Sequence, residues 1–160
     1  MLAGLPVAPT AGRPDGGWAA SGWAGEVEAR TACPTHQALL DTDERLRRGA
    51  LAEQVPAAWH RRADPARIGV PVLGLHGAAD TVTPLDAARG WYARVPDAEL
   101  VSIAGGRHDA LNDQTHRTAA ATVVLFLERL RAGVPEIAHR ELLVPYRAGG
   151  DNRTTDEVTR

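Results

Sequence analysis

Two short segments carry residues whose types and spacing suit acid–base catalysis. One is His76-Gly77-Ala78-Ala79-Asp80 and the other is Gly105-Gly106-Arg107-His108-Asp109. An imidazole takes a proton from a hydroxyl only when its acceptor nitrogen is free and correctly aimed. A carboxylate bonded to the other ring nitrogen fixes that tautomer and stabilises the imidazolium as it forms. Losing that carboxylate costs about 10⁴ in kcat in a serine protease. Asp80 as orienter and His108 as general base are therefore the candidate catalytic residues.

The elements between them must bring the two side chains together. Val70-Pro71-Val72-Leu73-Gly74-Leu75-His76 is a short, nearly unbroken apolar run. Such a run predicts a strand over 70–76 buried on both faces, as in a parallel sheet. A helix follows, with Thr83 as N-cap, Pro84 at its first position and Asp86 in its first turn. Leu85, Ala88, Tyr92 and Val95 form its buried stripe, and Gly90 weakens it by about 0.5–1 kcal/mol relative to Ala. Leu100-Val101-Ser102-Ile103 is a second strand, and Gly105-Gly106 turns the chain sharply. A last helix is predicted from Gln114 to Ala132, with Ala120, Val123, Val124, Leu127 and Leu130 facing the core. Arg129 and Arg131 suit its C-terminal dipole, Gly133 its cap, and Pro135 prevents continuation. Strand, helix, strand, helix in this order predicts parallel strands joined by right-handed crossovers. Ligands of such sheets bind at the carboxyl ends of the strands. Both chemistry-bearing loops leave those ends, so Asp80 and His108 are expected on one rim.

These residues resemble a known family. Val72-Leu73-Gly74-Leu75-His76-Gly77-Ala78-Ala79-Asp80-Thr81-Val82-Thr83-Pro84 is similar to the strand and turn bearing the triad acid of α/β-hydrolases. Gly105-Gly106-Arg107-His108-Asp109-Ala110-Leu111-Asn112-Asp113 is similar to their triad-histidine loop. An acidic residue after the histidine, then Leu-Asn-acid, resembles the monoacylglycerol lipase and lysophospholipase branch, grouped with serine aminopeptidase-like hydrolases. The resemblance spans 67–132, is weaker over 31–66, and is absent over 1–30. It implies the C-terminal part of an α/β-hydrolase fold: the last two parallel strands with flanking helices and a remnant of a helical cap, to which composition adds flexible termini. The expected divisions are a flexible or atypical 1–30, a cap remnant at 31–66, the hydrolase core at 67–135 and a polar tail at 136–160.

The family's nucleophile sits in Gly-x-Ser-x-Gly on a strand-to-helix elbow, and this chain has no such motif. Its two serines are Ser21, in Ala-Ala-Ser-Gly-Trp with no strand before it, and Ser102, inside the second strand. Cys33 precedes Pro34, again with no leading strand. None is a good nucleophile, and the regions that would supply oxyanion donors are not recognisable either. Loss of the nucleophile alone costs about 10⁶ in kcat in subtilisin, so turnover by this chain alone is not expected.

Other polar residues have plainer readings. His76 reads as structural at a strand end. Asp109, Asn112 and Asp113 are expected to cap the last helix or brace the histidine loop. His36, His60, His116 and His139 lack metal-ligand spacing. Asp43-Glu44 with Arg45, Arg47 and Arg48 suits a solvated helix face, and Trp59, Trp91 and Tyr92 suit packing. Upstream, residues 41–53 predict a helix from the Asp41–Glu44 capping-box spacing and the Leu39, Leu46, Ala50 face, ended by Pro56. Residues 57–67 predict a short helix or turn. Residues 1–30, rich in Gly, Pro and Ala, predict loop or disorder in which Trp18 and Trp23 cover an apolar surface. Beyond Pro145 the chain is polar, predicting disorder.

Composition bounds the class. The 160 residues fit one domain, with 44% hydrophobic and 24% charged residues and a net charge of −2. No basic stripe with interleaved aromatics offers nucleic acid a surface. A single cysteine favours a reducing compartment. Met1–Leu5 lacks a cationic flank and is followed by Pro6, which argues against a signal peptide. No apolar run approaches the ~20 residues that span a bilayer. A cytoplasmic location is expected, where the Asn152-Arg153-Thr154 sequon has no meaning. The expected function is that of a C-terminal portion of a carboxylic-ester hydrolase with a lipid-like substrate, no cofactor and no metal. Two rivals stand beside it. One is a non-enzymatic interaction module, or half of a split enzyme completed by an N-terminal half chain. The other is a haloperoxidase, epoxide hydrolase or iminopeptidase of the same fold.

Overall fold

The computed structural model describes residues 2–3, 17–53 and 56–141. The tail beyond 141, the sequon and most of the Gly/Pro-rich opening lie outside the described residues.

The most apolar segment forms the central strand. β1 (Leu2–Ala3), β2 (Val72–Gly77) and β3 (Ala98–Ile103) make a parallel sheet in that order. β2 is buried at all six positions. Its register runs from Val72 opposite Ala98 to Gly77 opposite Ile103, and Leu2 and Ala3 pair with Gly74 and Leu75 on its other edge. β1 lies in a segment expected to be loop. Two residues are too few to show a period, so nothing local announces it.

Alternation along β2 builds two cores. Leu73 and Leu75 pack with Ile103, Ala119 and Phe126 on one face. Val72 packs with Ala88, Tyr92 and Val95 on the other. Helix α4 (Leu85–Tyr92) therefore covers one face and α5 (His116–Ala132) the opposite one. The α4 stripe is as expected, with Ala88, Tyr92 and Val95 buried and Leu85 partly so. The start shifts by one residue: Pro84 is the N-cap, and Asp86 keeps its place in the first turn.

The core face of α5 differs from expectation. Ala119 and Phe126 are buried and Val123 packs beside them, whereas Val124 and Leu127 are 58% and 55% exposed and Ala120 and Leu130 are also exposed. The apolar arc on this helix is wider than one sheet face covers. Only its Ala119–Val123–Phe126 edge reaches the strands. Gly133 and Val134 end the helix by donating to Leu130 and Arg129 carbonyls.

Two helices occupy the N-terminal stretch. α1 (Gly22–Arg30) follows a short 3₁₀ turn at Ala19–Ser21 and stands where loop was expected. α2 (Pro34–Thr42) opens on Pro34 at its first turn. The helix expected over 41–53 is absent. Asp43 Oδ1 accepts the Arg45 N–H at 2.9 Å, a local turn that competes with helix continuation, and only a 3₁₀ turn forms at Ala50–Ala52. Leu39, expected on a buried face, is exposed. α3 (Ala57–Arg62) and a 3₁₀ turn at Pro65–Arg67 fill the span read as short helix or turn. Trp59, expected to pack, is exposed. Among the described residues, no helix is long and apolar enough to cross a membrane.

Candidate active site

The loops after β2 and β3 are bonded to each other before any side chain is considered. Ala78 N–H donates to Ile103 O and Ala79 N–H to Gly106 O, both at 2.9 Å. Their approach depends on Gly77, where an added Cβ would lie 2.2 Å from Arg107 O and 2.3 Å from Gly106 O. Gly105 makes the turn at φ 68°, a left-handed conformation that side chains rarely adopt.

This backbone brings the expected pair together. His108 Nδ1 lies 2.9 Å from Asp80 Oδ2, and the residues are 8% and 6% exposed. A carboxylate only accepts, so His108 Nδ1 is the donor in this contact, and in the neutral ring Nε2 then holds the free lone pair. The other carboxylate oxygen, Asp80 Oδ1, accepts from the backbone N–H groups of Val82 at 2.8 Å and Thr83 at 2.9 Å. Those two bonds lock the Asp80 rotamer.

His76 is also in contact. It was expected as a structural residue, and it is buried at the end of β2 with Nε2 2.8 Å from Thr83 O. The same nitrogen is 3.3 Å from Asp80 Oδ2. The signal for this contact lay in the four-residue spacing of His76 and Asp80 across a tight turn, which gives no direction for the ring by itself.

The histidine loop is held from below by α1 and the residues after it. His108 and Asp109 N–H donate to the last α1 carbonyls, Ala29 O at 3.3 Å and Arg30 O at 2.7 Å. Orphan C-terminal carbonyls of a helix are natural acceptors. Asp113 is buried and joins three segments. Its Oδ1 accepts from Ala32 N–H at 2.8 Å, Gln114 N–H at 2.8 Å and the Thr31 hydroxyl at 3.2 Å, and its Oδ2 from Arg107 N–H at 2.7 Å. Burial pushes the Asp113 carboxyl up, but these bonds outweigh it and hold it below the usual range. The bracing expected of Asp113 thus has a definite geometry. Asp109 Oδ2 faces His36 Nε2 at 3.3 Å and Arg30 at 3.8 Å. Asn112 contributes its carbonyl to Thr31.

The nucleophile candidates make other contacts. Ser21 is exposed and its hydroxyl donates to Gly17 O at 3.1 Å. Ser102 is exposed inside β3, opposite His76 in register. Cys33 caps α2 and its N–H donates to the Thr31 hydroxyl. His116 Nδ1 lies by Asp113 O, and His139 pairs with Glu136 at the surface. Among the described residues, no three His, Cys, Asp or Glu side chains gather as metal ligands. Trp91 and Tyr92 pack edge-to-face with ring centroids 5.1 Å apart, and burial pushes the Tyr92 hydroxyl up to about 12. An open groove of about 520 Å³ runs between α1, α2 and Arg107, but neither Asp80 nor His108 lines it.

A buried carboxylate–imidazole pair on adjacent loops at the carboxyl rim of a parallel sheet can act as an acid–base device that activates a hydroxyl or water. The family model described as serine aminopeptidase, S33, matches residues 23–115, a span holding α1, β2, β3, Asp80 and His108. That match covers more than half of the chain, which belongs to this family of α/β-hydrolases.

Proposed function

We propose that this chain supplies the acid and base of a serine hydrolase that cleaves carboxylic esters, with a lipid-like acyl substrate and a nucleophilic serine other than Ser21 and Ser102. The observation that carries the reading is the 2.9 Å contact between His108 Nδ1 and Asp80 Oδ2. The ester and lipid preference rests on the resemblance of Leu111-Asn112-Asp113 to the lysophospholipase and monoacylglycerol lipase branch. The serine assignment rests on the sequence, in which neither Ser21 nor Ser102 stands in Gly-x-Ser-x-Gly.

In the completed enzyme, His108 Nε2 takes the serine hydroxyl proton as the oxygen attacks the ester carbonyl carbon. The tetrahedral intermediate collapses, the carbon–oxygen bond to the alcohol breaks, and His108 returns the proton to the departing alkoxide. Water then attacks the acyl-enzyme, with His108 again accepting and then donating a proton. Asp80 stays ionised throughout and holds the imidazolium in place.

Fluorophosphonate labelling with peptide mapping tests the nucleophile assignment. The isolated chain is expected to carry no adduct. An adduct on Ser21 or Ser102 overturns that assignment. In a reconstituted enzyme, hydrolysis of p-nitrophenyl butyrate should fall about 10⁴-fold in Asp80→Asn, and undiminished turnover would refute the acid's role.

One observation favours the second reading, a non-enzymatic interaction module: Val124, Leu127 and Leu130 stand exposed along α5. Unchanged ester hydrolysis in a reconstituted Asp80→Asn, His108→Ala double variant would favour it.

A further inference from the structure

His76 is buried, and nothing in the acid–base scheme uses it. Its Nε2 lies 2.8 Å from the Thr83 carbonyl oxygen. A carbonyl oxygen can only accept, so this nitrogen carries a proton. The same N–H is 3.3 Å from Asp80 Oδ2, the oxygen that receives His108 Nδ1 at 2.9 Å. The Asp80 carboxylate therefore accepts three hydrogen bonds, from the Val82 and Thr83 amides on Oδ1 and from His108 on Oδ2, with the His76 ring close to Oδ2.

We propose that His76 is a positioning residue for the triad acid: its Nε2–H bond to Thr83 O ties the turn that carries Asp80 to β2 and sets Nε2 3.3 Å from Asp80 Oδ2, the oxygen that His108 Nδ1 must meet. This deepens the reading of Asp80 and His108 as an acid–base pair and rests on it. Rotation of the carboxylate about its last torsion is soft, because sp²-terminal torsions are broad. The two backbone donors pin Oδ1. With Oδ1 pinned by the Val82 and Thr83 amides, the place of Oδ2 follows the turn that His76 anchors through Thr83 O. The strand supplies the rigidity: β2 is hydrogen-bonded through Gly77, and the His76 ring is 1% exposed. The Thr83 carbonyl, immediately before α4, anchors the same N–H, so the ring also ties the acid's turn to the strand that precedes it. The charged or titratable groups placed on this cluster are Asp80, His76 and His108, with Asp109 beyond His108 facing His36 and Arg30.

Histidine-labelled ¹H–¹⁵N NMR on the full chain tests this without needing turnover. The wild-type chain should show His76 as the Nε2–H tautomer and a slowly exchanging His108 Nδ1 proton. The Nδ1–H tautomer at His76 overturns the proposal even if no variant folds. His76→Phe keeps a ring and removes the donor. It should speed exchange of the His108 Nδ1 proton up to about tenfold, the scale of one net hydrogen bond. His76→Gln restores an amide donor and should recover most of the protection. Wild-type protection in His76→Phe, or equal loss in His76→Gln and His76→Phe with the fold intact, overturns it. A wild-type chain with no hydrogen-bonded His108 Nδ1 proton would instead refute the acid–base pair itself.

Discussion

The sheet with its two loops and the helical platform beneath them hold the same site by different physics. β2 and β3 are ordered by apolar burial on two faces, with Leu73 and Leu75 fully enclosed. Helix α1 and its C-terminal end are ordered by polar contacts made far along the chain. Ala29 and Arg30 carbonyls receive the histidine loop, Thr31 and Ala32 donate to Asp113, and the buried Glu26 binds Arg30 at 2.9 Å and Gly49 N–H at 2.6 Å. The contrast teaches that one half of the site sets where the two loops emerge, and the other sets where the imidazole ends.

The largest effect is expected in the sheet. Leu75→Ala should destabilise the whole chain by about 2–5 kcal/mol in urea denaturation, because it opens a cavity between β2 and α5. A loss under about 1 kcal/mol would mean the sheet is not the dominant core. Gly77→Ala sits at the junction. Its methyl would collide with backbone rather than with a flexible side chain, so a cost of about 1–3 kcal/mol is expected together with loss of the His108 Nδ1 proton signal. Unchanged stability and signal would show that the loops do not need that close approach.

Asp113→Asn should cost about 1–3 kcal/mol, since four donors then face an amide in place of a carboxylate. The pH dependence has a definite sign. The folded-state carboxyl lies below its ordinary value of 3.8. Its contribution is thus fully present above that value and is lost as pH falls through the folded one. Acid denaturation of Asp113→Asn should show a shallower loss in that window, and an identical acid limb would remove Asp113 from the platform. The smallest effect belongs to Glu26→Gln, about 1 kcal/mol. Hydrogen exchange should quicken at the His108 and Asp109 amides while the Leu73 and Leu75 amides keep their protection. Uniform quickening would erase the distinction between the two regions.

The same contrast explains what could be read from the chain. The strand through Val72–Leu75, the α4 stripe and the Gly105-Gly106 turn are written in local pattern, and Asp80 and His108 followed from them. Helix α1 was not legible, because its order comes from partners about 80 residues away (Thr31 to Asp113, for example) and its own apolar face is weak. The expected 41–53 helix failed where Asp43 turned its carboxylate onto Arg45 N–H, a local bond stronger than a loose capping pattern. On α5 the period was correct but the arc was too broad to say which edge meets the sheet. His76 escaped a functional reading because ring direction, not spacing, creates its contact with Asp80.

A high-resolution crystal structure of the chain, read at one distance, tests the central claim most directly. The account predicts Asp80 Oδ2 and His108 Nδ1 at hydrogen-bonding range, 2.9 Å, with both side chains buried. An imidazole turned away, with that separation beyond about 3.5 Å, would contradict it.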